Sequence, residues 1–250
     1  MSNAPQIRVG IGGWVYPPWR GVFYPAGLPQ ARELGYASRQ LTTIEINGTF
    51  YGPQKPASFR RWHDETPEDF VFSVKGPRFA THRPDLAAAG PTFDRFFSGG
   101  VLELRDKLGP ILWQFPPGAP HDEGAFAAFV ELLPERIDGR KLRHAVELRR
   151  PKIPIERATD LLRRRGVALV VDDNQPDFEV TANFVYAHLR HCALDEPAGY
   201  SPEALDAWVQ RIRERSVPGA CDCFVYFISG AKIRAPAAAQ ALLQRLAAPV

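Results

Sequence analysis

Ten polar side chains fall at the C-terminal ends of short apolar runs, spaced as on one face of a β-strand. Glu45 and Asn47 flank Ile46, Ser73 and Lys75 flank Val74, Glu147 and Arg149 flank Leu148, and His188 and Arg190 flank Leu189. Gln114 follows Leu112-Trp113, and Asp172 ends Val170-Val171-Asp172. Residues i and i+2 of a strand point the same way and lie about 6–7 Å apart along it. If all these strands end together, the ten groups share one surface. The chemistry such a surface offers is specific: Lys75, Arg149 and Arg190 would hold an anion, Glu45 or Glu147 would act as general base, and Asn47 and Gln114 would orient the bound molecule. Asp172 and His188 would complete the lining.

The elements that must position these groups can be read from hydrophobic periodicity. Eight apolar runs read as strands: Ile7–Gly12, Thr42–Asn47, Phe70–Lys75, Pro110–Phe115, His144–Arg149, Val167–Asp172, Phe184–Arg190 and Cys223–Ser229. Between them, Phe126/Phe129/Val130/Leu133, Leu205/Trp208/Val209/Ile212 and Ala239/Leu242/Leu243/Leu246 keep the i, i+3, i+4, i+7 spacing of amphipathic helices. Ser201-Pro202 opens one helix with a capping hydroxyl, and Pro154 opens another over Ile155–Arg165. Shorter helices are expected over Gln30–Arg39, Pro56–Glu65 and Thr92–Leu108. The link from Asp173 to Asn183 is too short for a crossover helix and is expected to cross the open end of the sheet. Eight strand–helix units in 250 residues predict one domain over the whole chain: an α/β, TIM-barrel-like (β/α)8 fold with an irregular link after strand 6. An open doubly wound sheet is disfavoured, because Gly10-Ile11-Gly12-Gly13 lacks the spacing of a dinucleotide-binding loop.

Inward parity in such a barrel places the polar groups at the catalytic end. The competing reading is a self-neutralising layer in which Glu45, Glu147 and Asp172 balance Lys75, Arg149 and Arg190. Buried ion pairs stabilise less than packed aliphatic side chains, so six charges at one end favour a site. Trp14, Tyr16, Trp19, Phe23, Tyr24, Phe50 and Tyr51 crowd the same rim, where most would seal loops. Trp14 and Tyr51, just past their strand ends, are the candidates for stacking on a ligand. Arg163-Arg164-Arg165 ends an amphipathic helix, where cations suit the dipole.

A charge of +3 gives no nucleic-acid footprint by itself, and no apolar run reaches the length of a membrane span. Met1–Arg8 has no signal-peptide core, and the three cysteines, Cys192, Cys221 and Cys223, are an odd number. A cytoplasmic protein with free thiols is expected, with no metal site and no obligatory cofactor. Cys221-x-Cys223 lacks a second ligand pair.

Several stretches together resemble the YecE-like family, the domain of unknown function numbered 72. They are Gly12-Gly13-Trp14 with Trp19 and Phe23-Tyr24-Pro25, Glu45 to Tyr51, Phe72 to Lys75, Leu108 to Pro117, and Val146 to Arg149. The resemblance implies a TIM-barrel-like fold with a polar pocket at the strand ends. Fold-level likeness to endonuclease and sugar isomerase barrels suggests ligands bearing phosphate or sugar. The chain departs from the family pattern in three places. Glu147-Leu148-Arg149-Arg150 stands for Glu-Phe-Arg-His, Ser229 stands for Asn, and in Tyr186-Ala187-His188-Leu189-Arg190-His191 the usual Arg and His have exchanged places. Two functions follow as expectations. One is binding, with hydrolysis, of a small anionic or sugar-like ligand. The other is non-catalytic capture of a metabolite or a nucleic-acid end, with no membrane partner.

Overall fold

The computed structural model describes residues 5–174, 179–215 and 221–248. The barrel strands are β1 (Ile7–Gly12), β2 (Thr43–Ile46), β3 (Val71–Lys75), β4 (Leu108–Gln114), β5 (His144–Glu147), β6 in two pieces (Ala168–Leu169 and Val171–Asp172), β7 (Phe184–Leu189) and β8 (Asp222–Phe227). All pair in parallel, and β1 pairs with β8. The first piece of β6 pairs with β5 and the second with β7, so the nearly closed barrel is completed through one interrupted strand. The fold is the α/β barrel that the strand–helix alternation predicts.

Parity then sorts the side chains. Outward residues such as Val9, Ile11, Ile44, Ile46, Val146 and Val225 are fully buried beneath the helices. Inside the barrel a smaller apolar plug forms from Leu112, Ala145, Ala168, Val170, Phe184, Tyr186, Phe224 and Tyr226. Above the rings lies a hydroxyl layer. Thr43 Oγ1 donates to the Val71 carbonyl at 2.7 Å and sits 2.9 Å from Tyr226 Oη, while Ser73 Oγ lies 2.6 Å from Tyr186 Oη. Each ring thus meets a small hydroxyl residue on a facing strand, which fills the taper without stranding a phenol.

The helices match the periodic segments: α1 (Glu33–Gln40), α2 (Pro56–Glu65), α3 (Gly90–Ser98), α4 (Glu123–Glu131), α5 (Ile155–Arg164), α6 (Pro202–Arg215) and α7 (Ala235–Ala247). Ser201 Oγ accepts from the Ala204 amide, as its capping position requires. The helix expected over Thr92–Leu108 is instead divided. α3 stops at Ser98, Gly100 turns with φ +103°, and a 3-10 segment spans Val101–Lys107 before β4 begins at Leu108. One-turn helices at Gly48–Tyr51 and Arg78–Thr81, directly after β2 and β3, are too short to leave a periodic signature. The expected path of the Asp173–Asn183 link across the open end falls on residues 175–178, which lie outside the described residues. Of its described ends, Asp173 accepts from the Arg190 and His191 amides just past β7, while Thr181 Oγ1 donates to the Val167 carbonyl and accepts from the Leu169 amide beside β6. No helix among the described residues is long and apolar enough to cross a membrane.

β1 approaches β2 too closely for any side chain at Gly10, where a Cβ would sit 1.8 Å from the Thr43 carbonyl oxygen. Gly10→Ala is therefore expected to pry β1 from β2 and cost about 3 kcal/mol or more in denaturant unfolding. A loss under about 0.5 kcal/mol would show that this contact does not constrain the barrel.

Candidate functional site

The ends of β2, β5 and β7 meet around one imidazole. His188 Nε2 lies 2.7 Å from Glu45 Oε2, and its Nδ1 lies 3.2 Å from Glu147 Oε2. All three side chains are buried. Tyr186 Oη donates a further hydrogen bond to Glu45 Oε2 at 2.6 Å. Burial alone would discharge these groups, but their mutual attraction outweighs it. It would push both carboxyls up, yet His188 together with Lys75, and Arg190 on Glu147, holds each at about 2. Burial would likewise lower His188, and the two carboxylates raise it instead, favouring the protonated ring.

A second tier covers this one. Arg190 Nη2 donates to Glu147 Oε1 at 2.5 Å, Arg149 Nε lies 3.3 Å from the same oxygen, and Lys75 Nζ lies 3.7 Å from Glu45 Oε1 while donating to Gln114 Oε1 at 3.1 Å. Exposure rises outward: Lys75 is 14%, Arg190 18% and Arg149 41% exposed. The i, i+2 spacing explains the order, because each strand carries its deep residue first and its upper residue two positions later. Glu45, Ser73, Glu147 and His188 form the floor, and Asn47, Lys75, Arg149 and Arg190 the upper tier. The exchanged order of His188 and Arg190 puts the imidazole at the deep position.

The structure thus brings Glu45, Lys75, Gln114, Glu147, Arg149, His188 and Arg190 together, with Asn47 beside them against Gly12. Asp172 is not part of the cluster. Its carboxylate accepts the Asn174 amide at 2.9 Å, closing a turn at the end of β6. Trp14 packs edge-on to Trp62 at 5.2 Å and against Phe72 at 6.4 Å, on the helix side of the barrel. Tyr51 is 70% exposed, and its neighbour Phe50 is the ring that meets Lys75, whose Nζ lies 5.6 Å from the ring centroid. The one-turn helix after β2 decides which of the two rings faces the cluster.

Three residues escaped the sequence reading. Lys232 follows β8, with its ammonium 5.0 Å from the Tyr16 ring centroid and 5.5 Å from that of Trp19. Burial and the charge of Lys75 lower its pKa, which places a further cation beside the cluster. Asp173 fixes the end of β7 through the Arg190 and His191 amides and the Tyr200 hydroxyl. His82 stands edge-on to Phe50 at 5.4 Å, and burial with the charges of Arg78 and Arg149 lowers its pKa. That direction favours the neutral ring, and Thr81 Oγ1 lies 3.1 Å from its Nδ1. Only a strand-end reading extended to loop residues would have found them.

Glu45 and Glu147, the two groups expected as general bases, are both held at about 2 by the cations around them. Of eight buried side-chain polar atoms without a hydrogen-bond partner among the described residues, five are here: Glu45 Oε1, Asn47 Oδ1, Glu147 Oε2, Arg149 Nε and Arg190 Nε. Unpartnered polar atoms are thus concentrated at this end of the barrel. Among the described residues, no group of three His, Cys, Asp or Glu side chains is placed to hold a metal ion.

Known proteins resemble this chain in sequence and fold. It is 27% identical over 177 residues to the UPF0759 protein YecE of Escherichia coli (strain K12), an alignment covering 68% of this chain and 60% of YecE. The chain therefore spans about 60% of the length of that relative. A DUF72 family protein of Thermotoga maritima MSB8 superposes with a TM-score of 0.72 at 23% identity, covering 96% of this chain and 98% of that one. A xylose isomerase-like TIM barrel/4-hydroxyphenylpyruvate dioxygenase fusion protein gives 0.54 at 15% identity, over 94% of this chain and 41% of that one. These two likenesses show the TIM-barrel fold alone. The family model described as a protein of unknown function, DUF72, matches residues 8–250, and the chain belongs to that family.

Proposed function

We propose that the open end of the barrel captures a small anionic molecule, of the phosphate-bearing class, with Lys75, Arg149 and Arg190 as the binding cations. The observation that carries this reading is the order of charge with depth: carboxylates and imidazolium on the floor, cations above them. Four cationic side chains, His188 included, face two carboxylates, so the cluster holds a net charge of +2. Asp172, which would have brought it nearer neutrality, is engaged elsewhere. Glu45 and Glu147 serve to hold the cations in place. A planar guanidinium fixed by a carboxylate on one edge presents its remaining donors in a set direction, which favours a tetrahedral oxyanion over a neutral polyol.

Sulfate tests the reading without changing its own charge near neutrality. Titration calorimetry is expected to show sulfate binding that weakens about tenfold in Arg149→Gln, the loss of one charge-assisted contact at a half-exposed position. Unchanged affinity in that variant, or no binding by the parent protein, would overturn it.

Glu147→Gln removes the negative charge that pairs with Arg190, Arg149 and His188. The expected outcome is a stability loss of about 3 kcal/mol together with weaker sulfate binding, because the arms lose their anchor. Lost stability with sulfate affinity intact would instead make the cluster a purely structural ion-pair layer.

The pH dependence has a definite sign. A histidine whose folded pKa is raised contributes its full stabilisation below about 6.5, and that contribution is lost as pH rises through the raised value. Across the same interval the cluster falls from +2 to +1. Sulfate affinity is expected to decline as pH rises above about 6.5 and to lose that decline in His188→Gln. A flat profile in the parent protein would show that the His188 charge does not act on the anion.

A further inference from the structure

Beside the charged cluster lies a pocket of about 210 Å³ walled by Phe50, Phe59, Phe79, Phe96, Pro53 and Pro77. Its lining comes from the turns after β2 and β3 and from α2 and α3. Thr49 and Phe50, which line it, belong to the one-turn helix after β2, and Thr49 Oγ1 donates to the Lys75 carbonyl at 2.6 Å. Phe50 is common to both places, since the Lys75 ammonium lies 5.6 Å from its centroid. A molecule held by Lys75 is therefore within reach of this wall.

The character of the pocket differs from that of the cluster. Four phenyl rings and two prolines offer flat apolar faces, and Gln54 and Arg95 at the rim offer donors and an acceptor. Arg95 makes no ion pair among the described residues. Of the Phe, Tyr and Trp side chains among the described residues, the two most exposed are found here: Phe79 at 59%, lining the pocket, and Tyr51 at 70%, against Phe50. Exposed aromatic rings around a concave site are costly to leave in water and well suited to stack on another ring. A phosphorylated sugar alone would fill the cluster and leave nothing to place against these faces.

We propose that this pocket binds a flat heteroaromatic ring carried by the anion captured at the barrel end, so that the ligand is of the nucleoside monophosphate class. The inference rests on the anion-capture reading and adds to it the identity of the organic part. The ring stacks among Phe50, Phe79 and Phe96, its polar edge meets Gln54 and Arg95, and its phosphate meets Lys75, Arg149 and Arg190.

Calorimetric titration with adenosine 5′-monophosphate and ribose 5-phosphate, in parent protein and in Phe79→Ala, tests this. The nucleotide is expected to bind about tenfold tighter than the sugar phosphate, the usual scale of one stacked base. Phe79→Ala should close most of that gap and leave ribose 5-phosphate affinity unchanged, which also shows that the variant is folded. Equal affinities for the two compounds in the parent protein, or a gap that survives Phe79→Ala, would overturn the aromatic subsite and leave anion capture standing. Failure of both phosphates and of sulfate to bind would overturn the two proposals together.

Discussion

The end of this barrel is organised by one buried imidazolium shared between two carboxylates. His188 comes from β7, Glu45 from β2 and Glu147 from β5, so three strands distant in sequence are tied at a single depth. None of the three charges would be stable alone in so dry a place, since an isolated buried ion costs far more than it returns. Together they fix one another's ionisation, and the cations above inherit their positions from them. The Tyr186 hydroxyl, donating to Glu45 from below, couples this cluster to the packed rings of the barrel interior.

Depth, more than composition, gives the site its character. A set of charges close to balance would be unremarkable if interleaved on a surface. Here the strand pleat separates them into a floor that holds the negative charge and an upper tier that presents the positive charge to solvent. The loops after β2 and β3 then add aromatic faces at one side, and the loop after β8 adds Lys232. Charged groups and aromatic faces are thus supplied by different levels of the chain, strand ends for the first and one-turn helices for the second.

The architecture of the barrel was legible in the sequence because its signals are local. Alternating runs such as Ile7–Gly12 and Phe184–Arg190 mark strands by period, and Leu205/Trp208/Val209/Ile212 marks a helix by its own spacing. The same period 2 ranks Glu45 with Asn47 and Glu147 with Arg149 on common faces, so the membership of most of the cluster followed from parity once the strands were assigned. Side-chain direction along a strand is a property of the residue's own position.

Tertiary structure alone decided what those faces do. Asp172 has the right parity, yet the turn after β6 takes its carboxylate, and no pattern of neighbours announces that competition. Phe50 rather than Tyr51 faces Lys75 because a single turn of helix rotates the chain past β2, a segment too short to have a period. The lowered pKa of Glu45 and Glu147 is likewise absent from the sequence. It arises from charges on other strands, His188 lying 143 residues from Glu45, whose effect depends on distance and burial, quantities that exist only when the barrel closes.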